Sequence, residues 1–371
     1  SYHADHHNFC EFLDSNNMTN LKSYFESLMN DKKKGFLSGI LKAILWGISA
    51  VYALLVTTNH FLYRIGFLKT HKVPVTVISI GNITLGGTGK TPFAIMLARK
   101  LHNEGRKTAL LIRGYGDDEW KMMSEKLEKK GIGIFVGKDR VKSAKEALVL
   151  GASDIILDDG FQHRRLMRDL NIVLIDSMNP FGNRHLFPRG ILREPISSLK
   201  KADVIVFTKA EEPKFGIGAI EEELKNKFPG KIFMKATHAP KDLCGVYDRK
   251  VRSISDIKGK TVCLVSAICA PSYFRYTAEK CGLSVGLEFT FPDHYLYREK
   301  DLKRICGECA ERKIDIILTT DKDAVKLKNL QLPDNAPGVL ALTVEFEIIE
   351  GKGNLDAALH RLHSRNFRQN N

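Results

Sequence analysis

The sequence lacks the cysteine pattern of a secreted protein or of a zinc site. Its seven cysteines are an odd number, scattered along 371 residues. Cys306 and Cys309 form a single C-x-x-C, but no second pair and no nearby histidines complete a set of zinc ligands, so we interpret both as ordinary helix residues. Because we also find no secretory signal at the N-terminus, we expect reduced thiols in the cytosol.

Acidic residues are scarce relative to basic ones. The chain has 43 Asp and Glu against 57 Lys and Arg, a formal net charge of +14. This excess favours an anionic partner, which could be nucleic acid, a phospholipid surface or a phosphorylated substrate. Helicase-like motifs and interleaved aromatic residues are missing, so a nucleic-acid-binding ATPase would rest on charge alone. We therefore expect no nucleic-acid partner, and no obligate protein partner is evident.

A glycine-rich turn follows an apolar, β-branched run near residue 80. The segment 77–92 ends in Gly-Lys-Thr ahead of a helical stretch, which is the build of a phosphate-binding P-loop, although Thr84 replaces its first glycine. Lys90 would reach the β- and γ-phosphates of ATP, and the Thr91 hydroxyl would hold Mg²⁺. The residues expected to bind the nucleotide are Thr84, Leu85, Gly86, Gly87, Thr88, Gly89, Lys90 and Thr91.

Two adjacent acidic residues form the second chemical signal. Asp158 and Asp159 follow the apolar run 155–157. An apolar strand that delivers carboxylates at its C-terminal end is a Walker B arrangement, in which one acid holds Mg²⁺ and the other orients water or substrate. Neighbouring side chains on a strand point to opposite sides, so we expect the two acids to have different roles. The pattern predicts a metal site from Thr91, Asp158 and Asp159.

The N-terminal part changes composition sharply. Residues 1–35 are a polar extension, in which Met18 is a candidate for the natural start, and residues 36–72 contain a long apolar segment. Its stretch 43–63 carries no formal charge and is long enough to span a bilayer. A single span with the lysine-rich N-terminus inside would put the P-loop outside, where there is no ATP. We therefore favour a helix lying on the membrane surface; the alternative is a buried helix of the soluble core.

Short apolar runs alternate with helical ones after residue 72. This rhythm is typical of parallel sheets covered by helices on both faces. We expect an α/β fold with two α/β/α lobes and mainly parallel sheets: a P-loop NTPase-like lobe at 73–240 and a second lobe at 241–371 that contributes to the active site. The segment 235–259 contains Pro240, Gly245 and several charged residues, so we interpret it as a connector. The predicted strands are 108–112, 133–136, 155–157, 172–175, 204–207, 261–267, 314–319 and 339–344.

The motifs, taken in order, resemble those of the lipid A 4′-kinases (tetraacyldisaccharide 4′-kinases), whose P-loop also lacks the first Walker glycine. The resemblance covers roughly residue 36 to the C-terminus. Several motifs in fixed order are far more specific than a P-loop alone. The shared segments are 81–92, Arg113-Gly114-Tyr115-Gly116, 158–166, Phe181-Gly182-Asn183, 188–195, Phe291-Pro292-Asp293-His294 and 320–326.

The resemblance implies a peripheral kinase at the cytoplasmic face of the bacterial inner membrane. With ATP and Mg²⁺ it would phosphorylate the 4′-hydroxyl of tetraacyldisaccharide 1-phosphate, giving the lipid A precursor lipid IVA. The resemblance also adds Glu194 as a weaker candidate for binding Mg²⁺.

One departure from the family pattern concerns the catalytic base. The family usually has Gly-Asp-Glu-Pro well after the Arg-Gly-Tyr motif, whereas here Asp117-Asp118-Glu119-Trp120 follows almost at once. The Asp-Glu pair aligns Asp118 with the acid of the family, and the shortened loop leaves Asp117 as a rival. The resemblance offers Asp118 and His294 as a carboxylate–imidazole pair that accepts the proton of the sugar hydroxyl.

A membrane-associated P-loop GTPase or ATP-driven assembly factor is the alternative function. The segment Thr208-Lys209-Ala210-Glu211 is faintly similar to a guanine-reading motif, but Glu211 stands where such a motif needs Asp. An Asp-x-x-Gly switch is also missing, because Leu157 lies three residues before Gly160. The sequence therefore favours the lipid kinase.

Overall fold

The structure is a computed structural model that describes residues 24–25, 27–114, 127, 131–211, 217–293 and 295–369. Its helices are α1 (Phe36–Arg64), α2 (Lys90–Asn103), α3 (Arg140–Val149), α4 (Ile217–Lys227), α5 (Pro271–Lys280), α6 (Glu299–Glu311), α7 (Asp321–Leu327) and α8 (Lys352–Gln369). Short 3-10 helices cover Ile196–Lys201 and Ile254–Ile257. The strands are β1 (Thr76–Gly81), β2 (Thr108–Ile112), β3 (Gly133–Val136), β4 (Asp154–Leu157), β5 (Leu170–Asp176), β6 (Val204–Thr208), β7 (Ile232–Gly245), β8 (Val251–Arg252), β9 (Thr261–Ser266), β10 (Ser284–Thr290), β11 (Ile316–Thr320) and β12 (Gly338–Glu350).

The chain folds into two compact units. The first contains the described residues up to Thr70, together with Ile83–Leu85 and Met178–Lys201. The second contains His71–Asn82, Gly86–Ser177 and the described residues from Ala202 onward. The expected domain boundaries at 35/36, 72/73 and 240/241 follow a different division, and the last of them falls inside β7. These boundaries stay a prediction.

The second unit is built on one mainly parallel sheet of 12 strands. The order is β10-β9-β11-β12-β7-β6-β5-β1-β4-β2-β3, with β8 paired to β7. Strands β1 to β7 run parallel along one part of the sheet, and β9 to β12 run parallel along the other. The α/β class with a mainly parallel sheet and an apolar N-terminal helix is confirmed.

Strands β7 and β12 join the two parts as a long antiparallel ribbon. Because β7 continues the direction of β1 to β6 and β12 that of β9 to β11, the carboxyl ends of the two sets point towards each other along this ribbon. Ligands of α/β sheets bind at the carboxyl ends of strands, so the topology directs both sets of loops to one place.

The predicted connector at 235–259 is wrong, because most of it is β7, β8 and a 3-10 helix. The charges and the proline of this segment argued against a strand, and the exposure of β7 varies along its length without a regular alternation. Pro240 is accommodated at a register shift, where it lies opposite Val344 while Asp242 lies opposite Thr343. A proline has no N–H for the ladder, so such an irregularity is where a strand tolerates it.

The core below the P-loop explains why β1 and α2 form where they do. All six residues of β1 are buried, and helix α2 turns Phe93, Leu97 and Leu101 towards the sheet at helical spacing. Each side chain of this size contributes about 1.5–3 kcal/mol on full burial. The core therefore fixes the strand and helix between which the loop is held.

Helix α1 presents its apolar side chains outward. Within the first unit it buries Ser38, Leu45 and Ser49, whereas its large hydrophobic residues are exposed, for example Trp46 at 60% and Leu54 at 67%. A surface helix of a soluble protein shows the opposite pattern. By length and composition the helix could cross a membrane, and little of it is buried. The alternative of a buried core helix is therefore wrong.

Candidate active site

The P-loop connects the end of β1 to the N-terminus of α2 and requires glycine at two positions. Gly86 and Gly89 have φ of 105° and 81°, a region that side-chain-bearing residues rarely adopt. A Cβ at Gly89 would also lie 3.0 Å from Nε2 of His238, a residue of β7. Gly89 caps α2, so the first N–H groups of the helix have no intrahelical acceptor and can bind phosphate oxygens.

Two side chains at the end of β6, Thr208 and Lys209, bond to the backbone of the loop. The Thr208 hydroxyl donates to the Thr88 carbonyl oxygen at 3.0 Å, and Lys209 Nζ donates to the Gly87 carbonyl oxygen at 3.3 Å. Lys209 is buried and forms an ion pair with Asp176 at the end of β5. Within the loop, Asn82 Nδ2 donates to Thr88 Oγ1 at 3.2 Å. Hydrogen bonds from three side chains therefore hold the backbone and Thr88 of the loop.

The acidic pair after β4 lies beside the P-loop lysine. Lys90 Nζ is 3.6 Å from Asp159 Oδ1. The Asp158 carboxylate instead accepts the Asp159 N–H at 3.0 Å, which supports a left-handed backbone at Asp159 with φ of 49°. The two acids make different contacts, and their different roles stay a prediction. The Asp159 carboxylate forms an ion pair with Lys90.

Further bonds fasten this acidic loop to β1. The Gly160 N–H donates to the Ile80 carbonyl oxygen at 2.8 Å, and Gln162 Nε2 donates to the Asn82 carbonyl oxygen at 2.8 Å. Because these acceptors lie in β1 and the residue after it, the P-loop and the acidic loop share one rigid base.

A buried arginine adds positive charge behind the acids. Arg140, at the start of α3, donates to the Asp158 carbonyl oxygen at 3.2 Å. Burial lowers the pKa of its guanidinium to about 10, so it remains charged at neutral pH. Burial, with the charges of Arg140 and Arg168, lowers the pKa of His163 to about 4, so this imidazole is neutral. Of these two residues, Arg140 carries positive charge at neutral pH and His163 does not.

The second part of the sheet also reaches the P-loop. A Cβ at Gly87 would lie 3.4 Å from Cβ of Cys269, which follows β9. Cys269 Sγ donates to Asp293 Oδ2 at 2.7 Å, and Lys322 Nζ donates to the other oxygen at 3.3 Å. Burial and Asp293 raise the pKa of this thiol to about 11, so it is a protonated donor and no nucleophile. The predicted bases Asp118 and His294, and the rival Asp117, lie outside the described residues.

Thr84, Leu85 and Glu194 belong to the first unit. Thr84 forms a β-bridge with Leu192, and the Leu85 N–H donates to the Ile191 carbonyl oxygen at 2.7 Å. Glu194 is buried, and its Oε2 lies 3.5 Å from His60 Nε2. Burial raises the pKa of the Glu194 carboxyl, but hydrogen bonds from His60 and Ser198 outweigh it and hold the pKa below its usual value. Glu194 is thus a carboxylate paired with helix α1.

The residues near the loop fit Mg²⁺ held jointly with a nucleotide. In the described part of the chain, no group of three or more His, Cys, Asp or Glu side chains could hold a metal ion by itself. Thr91 lies in the first turn of α2, and the Asp159 carboxylate is beside Lys90. Mg²⁺ prefers oxygen ligands and usually combines one or two protein groups with phosphates and water. This donor set suits that mode.

Sequence reasoning assigned no role to five residues that bond to the loop, pair with such a residue or lie beside the loop: Asn82, Asp176, Thr208, Lys209 and His238. The position of Lys209 could have indicated a role at the site, since it follows β6 at the same sheet edge as the P-loop. The segment drew attention only for its weak likeness to a guanine-reading motif. His238 had none, because its segment was interpreted as a connector. Burial and the Lys209 charge lower the pKa of His238 to about 3, so a neutral ring lies under Gly89.

Comparison with known proteins identifies the family. The family profile described as LpxK, tetraacyldisaccharide-1-P 4′-kinase, matches residues 41–363. A tetraacyldisaccharide 4′-kinase of Desulfatibacillum aliphaticivorans is 35% identical over 366 residues, covering 89% of this chain and 95% of the relative. The corresponding protein of Halothermothrix orenii is 33% identical, with 91% and 96% covered.

A solved structure agrees with these sequence matches. The crystal structure of LpxK from Aquifex aeolicus in complex with ATP matches with a TM-score of 0.67 and 30% identity, covering 87% of this chain and 99% of that one. The predicted resemblance is confirmed, and the GTPase or assembly-factor alternative finds no support in it. The chain belongs to the tetraacyldisaccharide-1-P 4′-kinase family and is an ATP-dependent kinase of lipid A biosynthesis.

Proposed function

We propose that this kinase transfers the γ-phosphoryl group of ATP to the 4′-hydroxyl of tetraacyldisaccharide 1-phosphate at the edge formed by the P-loop and the acidic loop after β4. The observation that carries the assignment is the 3.6 Å approach of Lys90 Nζ to Asp159 Oδ1. A cation suited to phosphate oxygens lies there beside a carboxylate suited to Mg²⁺. The lipid acceptor is inferred from the family to which the chain belongs.

The residues act through position and charge, because phosphoryl transfer leaves little covalent chemistry for the protein. The N–H groups of residues 86–91 and the Lys90 ammonium bind phosphate oxygens. Thr91 and Asp159 hold Mg²⁺, with Asp158 and Glu194 as weaker candidates. When bound, the ion neutralises charge on the β- and γ-phosphates. Lys209 keeps the Gly87 carbonyl oxygen turned inward, which leaves the loop N–H groups for the ligand.

An assay with a defined lipid acceptor tests the function. Purified protein, ATP and Mg²⁺ should convert the tetraacyldisaccharide 1-phosphate into a product with one additional phosphate at the 4′ position, read by mass spectrometry. Omission of the lipid should reduce nucleotide turnover to background. Lipid-independent turnover of GTP would contradict the proposal and support a switch NTPase.

The catalytic base is expected to be the pair Asp118 and His294. A sugar hydroxyl is a poor nucleophile near neutral pH, and a positioned base accepts its proton during transfer. The support from the described residues is indirect: Asp293, the neighbour of His294, bonds to Cys269, which lies against Gly87 of the P-loop. Asp293, which belongs to the same motif as His294, is thus linked to the P-loop through Cys269, and this supports the proposal.

Loss of either member of the pair should slow the reaction strongly and to a similar extent. Asp118→Ala and His294→Ala are each expected to reduce kcat about a hundredfold or more. The double variant should be little worse than the single ones, because the carboxylate acts by orienting the imidazole. Steady-state kinetics and ATP affinity are to be measured together, with affinity unchanged. Independent, multiplying losses would reject the pair, and a strong loss in Asp117→Ala would move the base by one residue.

We further propose that helix α1 lies on the cytoplasmic face of the inner membrane. Its outward face carries exposed apolar residues, and lysines 32–34 precede it. Such a helix buries its apolar face at the acyl boundary, while basic residues contact anionic headgroups. A peripheral position on this face gives the P-loop access to ATP and the site access to a lipid acceptor.

Acidic substitutions on the outward face should release the protein from membranes. Ile48 and Leu55 are 50% and 63% exposed, so the variant Ile48→Glu/Leu55→Glu should fold. It should lose co-sedimentation with vesicles of anionic phospholipid, because charged groups are costly in the acyl region. The matched control is Val149→Glu/Leu150→Glu, at exposed apolar positions around the end of α3. Equal vesicle binding by both variants would show that helix α1 does not bind the protein to the membrane surface.

A further inference from the structure

The inward face of helix α1 carries four polar side chains beside Leu45, and three of them have specific partners. Ser38, Leu45, Ser49, Tyr52 and His60 are separated by 3, 4, 7 or 8 residues, which keeps them on one side of the helix. This side faces the segment Met178–Lys201 within the first unit. A helix that only rests on a bilayer has no need of such partners on the side turned to the protein.

Ser49 is buried and uses its hydroxyl twice. Its Oγ donates to the Leu186 carbonyl oxygen at 2.9 Å and accepts the Arg189 N–H at 2.9 Å. Arg189 also forms an ion pair at 2.7 Å with Asp31, which pairs with Lys42 of the same helix. The first part of the segment 178–201 is therefore fixed to α1 through backbone groups.

Tyr52 and His60 fix the second part. The Tyr52 hydroxyl donates to the Arg193 carbonyl oxygen at 2.9 Å. His60 Nε2 lies 3.5 Å from Glu194 Oε2, and Lys201 Nζ lies 3.2 Å from His60 Nδ1. Three helix residues thus hold the segment at successive points along its length.

The segment 178–201 also forms backbone hydrogen bonds with the start of the P-loop. The Arg193 N–H donates to the Ile83 carbonyl oxygen at 2.7 Å, and the Leu85 N–H donates to the Ile191 carbonyl oxygen at 2.7 Å. Between them, Thr84 forms a β-bridge with Leu192. The backbone of residues 83–85 is therefore bonded at both of its ends to a segment that α1 holds. The next residue in the chain is Gly86, the first glycine of the loop.

We propose that Ser49 and Tyr52 are positioning residues for ATP binding, which act by holding the segment 186–193 and, through it, residues 83–85 of the P-loop. The inference rests on the proposed nucleotide site, and it makes the apolar helix a part of the kinase machinery as well as a membrane anchor. Tyr52 donates to the Arg193 carbonyl oxygen, and the Arg193 N–H donates to Ile83, so a single residue links the helix to the loop at that point.

The test uses the full chain in detergent, without lipid acceptor or vesicles. The variant Ser49→Ala/Tyr52→Phe removes only two hydroxyl groups, and it should weaken ATP binding five- to tenfold in titration calorimetry. The matched control, Thr57→Ala/Thr58→Ala, removes two hydroxyl groups from exposed positions of the same helix and should leave ATP affinity unchanged. Vesicle binding by the Ser49→Ala/Tyr52→Phe variant should equal that of the wild-type protein, because neither substitution changes the outward face of the helix.

A purely structural role would lower the melting temperature without a specific loss of ATP affinity. Unchanged ATP affinity in the folded double variant would overturn the proposal. If that variant fails to fold, Tyr52→Phe alone decides the question by the same comparison with wild type. Failure of the proposed function would be seen in the lipid assay, as absence of 4′-phosphorylation by the wild-type protein. The ATP titration of the variants does not depend on that assay.

Discussion

Replacement of Lys90 by alanine is expected to reduce kcat on the order of a thousandfold or more, with the fold intact. Lys90 begins α2, and its ammonium lies 3.6 Å from Asp159, at the edge where the phosphates would bind. Removal of a group that stabilises transition-state charge commonly costs two to three orders of magnitude, or about 3–4 kcal/mol. Single-turnover transfer of labelled phosphate to the lipid acceptor measures the loss.

The control for this prediction is Lys142→Ala. Lys142 is 78% exposed on α3, so its loss should change neither rate nor stability. Thr91→Ala should fall between the two, because it removes one oxygen ligand of Mg²⁺ and leaves the loop N–H groups in place. A folded Lys90→Ala protein that turns over near the wild-type rate would show that the P-loop does not bind the transferred phosphate.

Replacement of Asp159 by asparagine should have the second large effect. We expect a loss of about a hundredfold or more in kcat and a shift of the Mg²⁺ dependence to higher concentration, because the neutral amide is a poorer ligand for a hard cation. The change keeps the size of the side chain, so a packing effect is not expected. Rate as a function of Mg²⁺ at saturating ATP is the measurement.

Asp158→Asn provides the matched comparison. Its carboxylate accepts the Asp159 N–H, and an amide oxygen can still accept that bond. We therefore expect a smaller loss and little change in Mg²⁺ dependence. If the two variants lose activity equally, or if Asp158→Asn shifts the Mg²⁺ dependence more, the metal carboxylate is assigned to the wrong member of the pair.

Much of the fold could be predicted because its signals are local. The β2 and β3 runs were predicted at the bounds that the structure has, 108–112 and 133–136, since short apolar strands bounded by polar turns leave little choice. The start of α2 is marked by Gly-Lys-Thr after a buried strand. The strand that contains Lys235 was missed, because its exposure depends on which neighbour it pairs with, and pairing is not written in one segment.

The site divides in the same way. Lys90, Thr91, Asp158 and Asp159 could be proposed from the sequence because phosphate and Mg²⁺ binding demand particular residue types beside glycine and a strand end, and their roles stay a prediction. Asp118 and His294 rest on the resemblance and stay a prediction. Lys209 and His238 could not be assigned, because their roles depend on contacts with the P-loop from β6 and β7, which are more than a hundred residues away in the chain.

The sequence by itself determined the chemical class of the protein, its α/β construction and the apolar character of the helix that precedes the kinase part. Those properties follow from residue types and their spacing over a few turns or strands. Only the tertiary structure decided which side of helix α1 faces the protein, which acid approaches Lys90, and which side chains hold the P-loop. These depend on bonds between segments far apart in sequence, as between Ser49 and Leu186, and such bonds exist only once the chain has closed on itself.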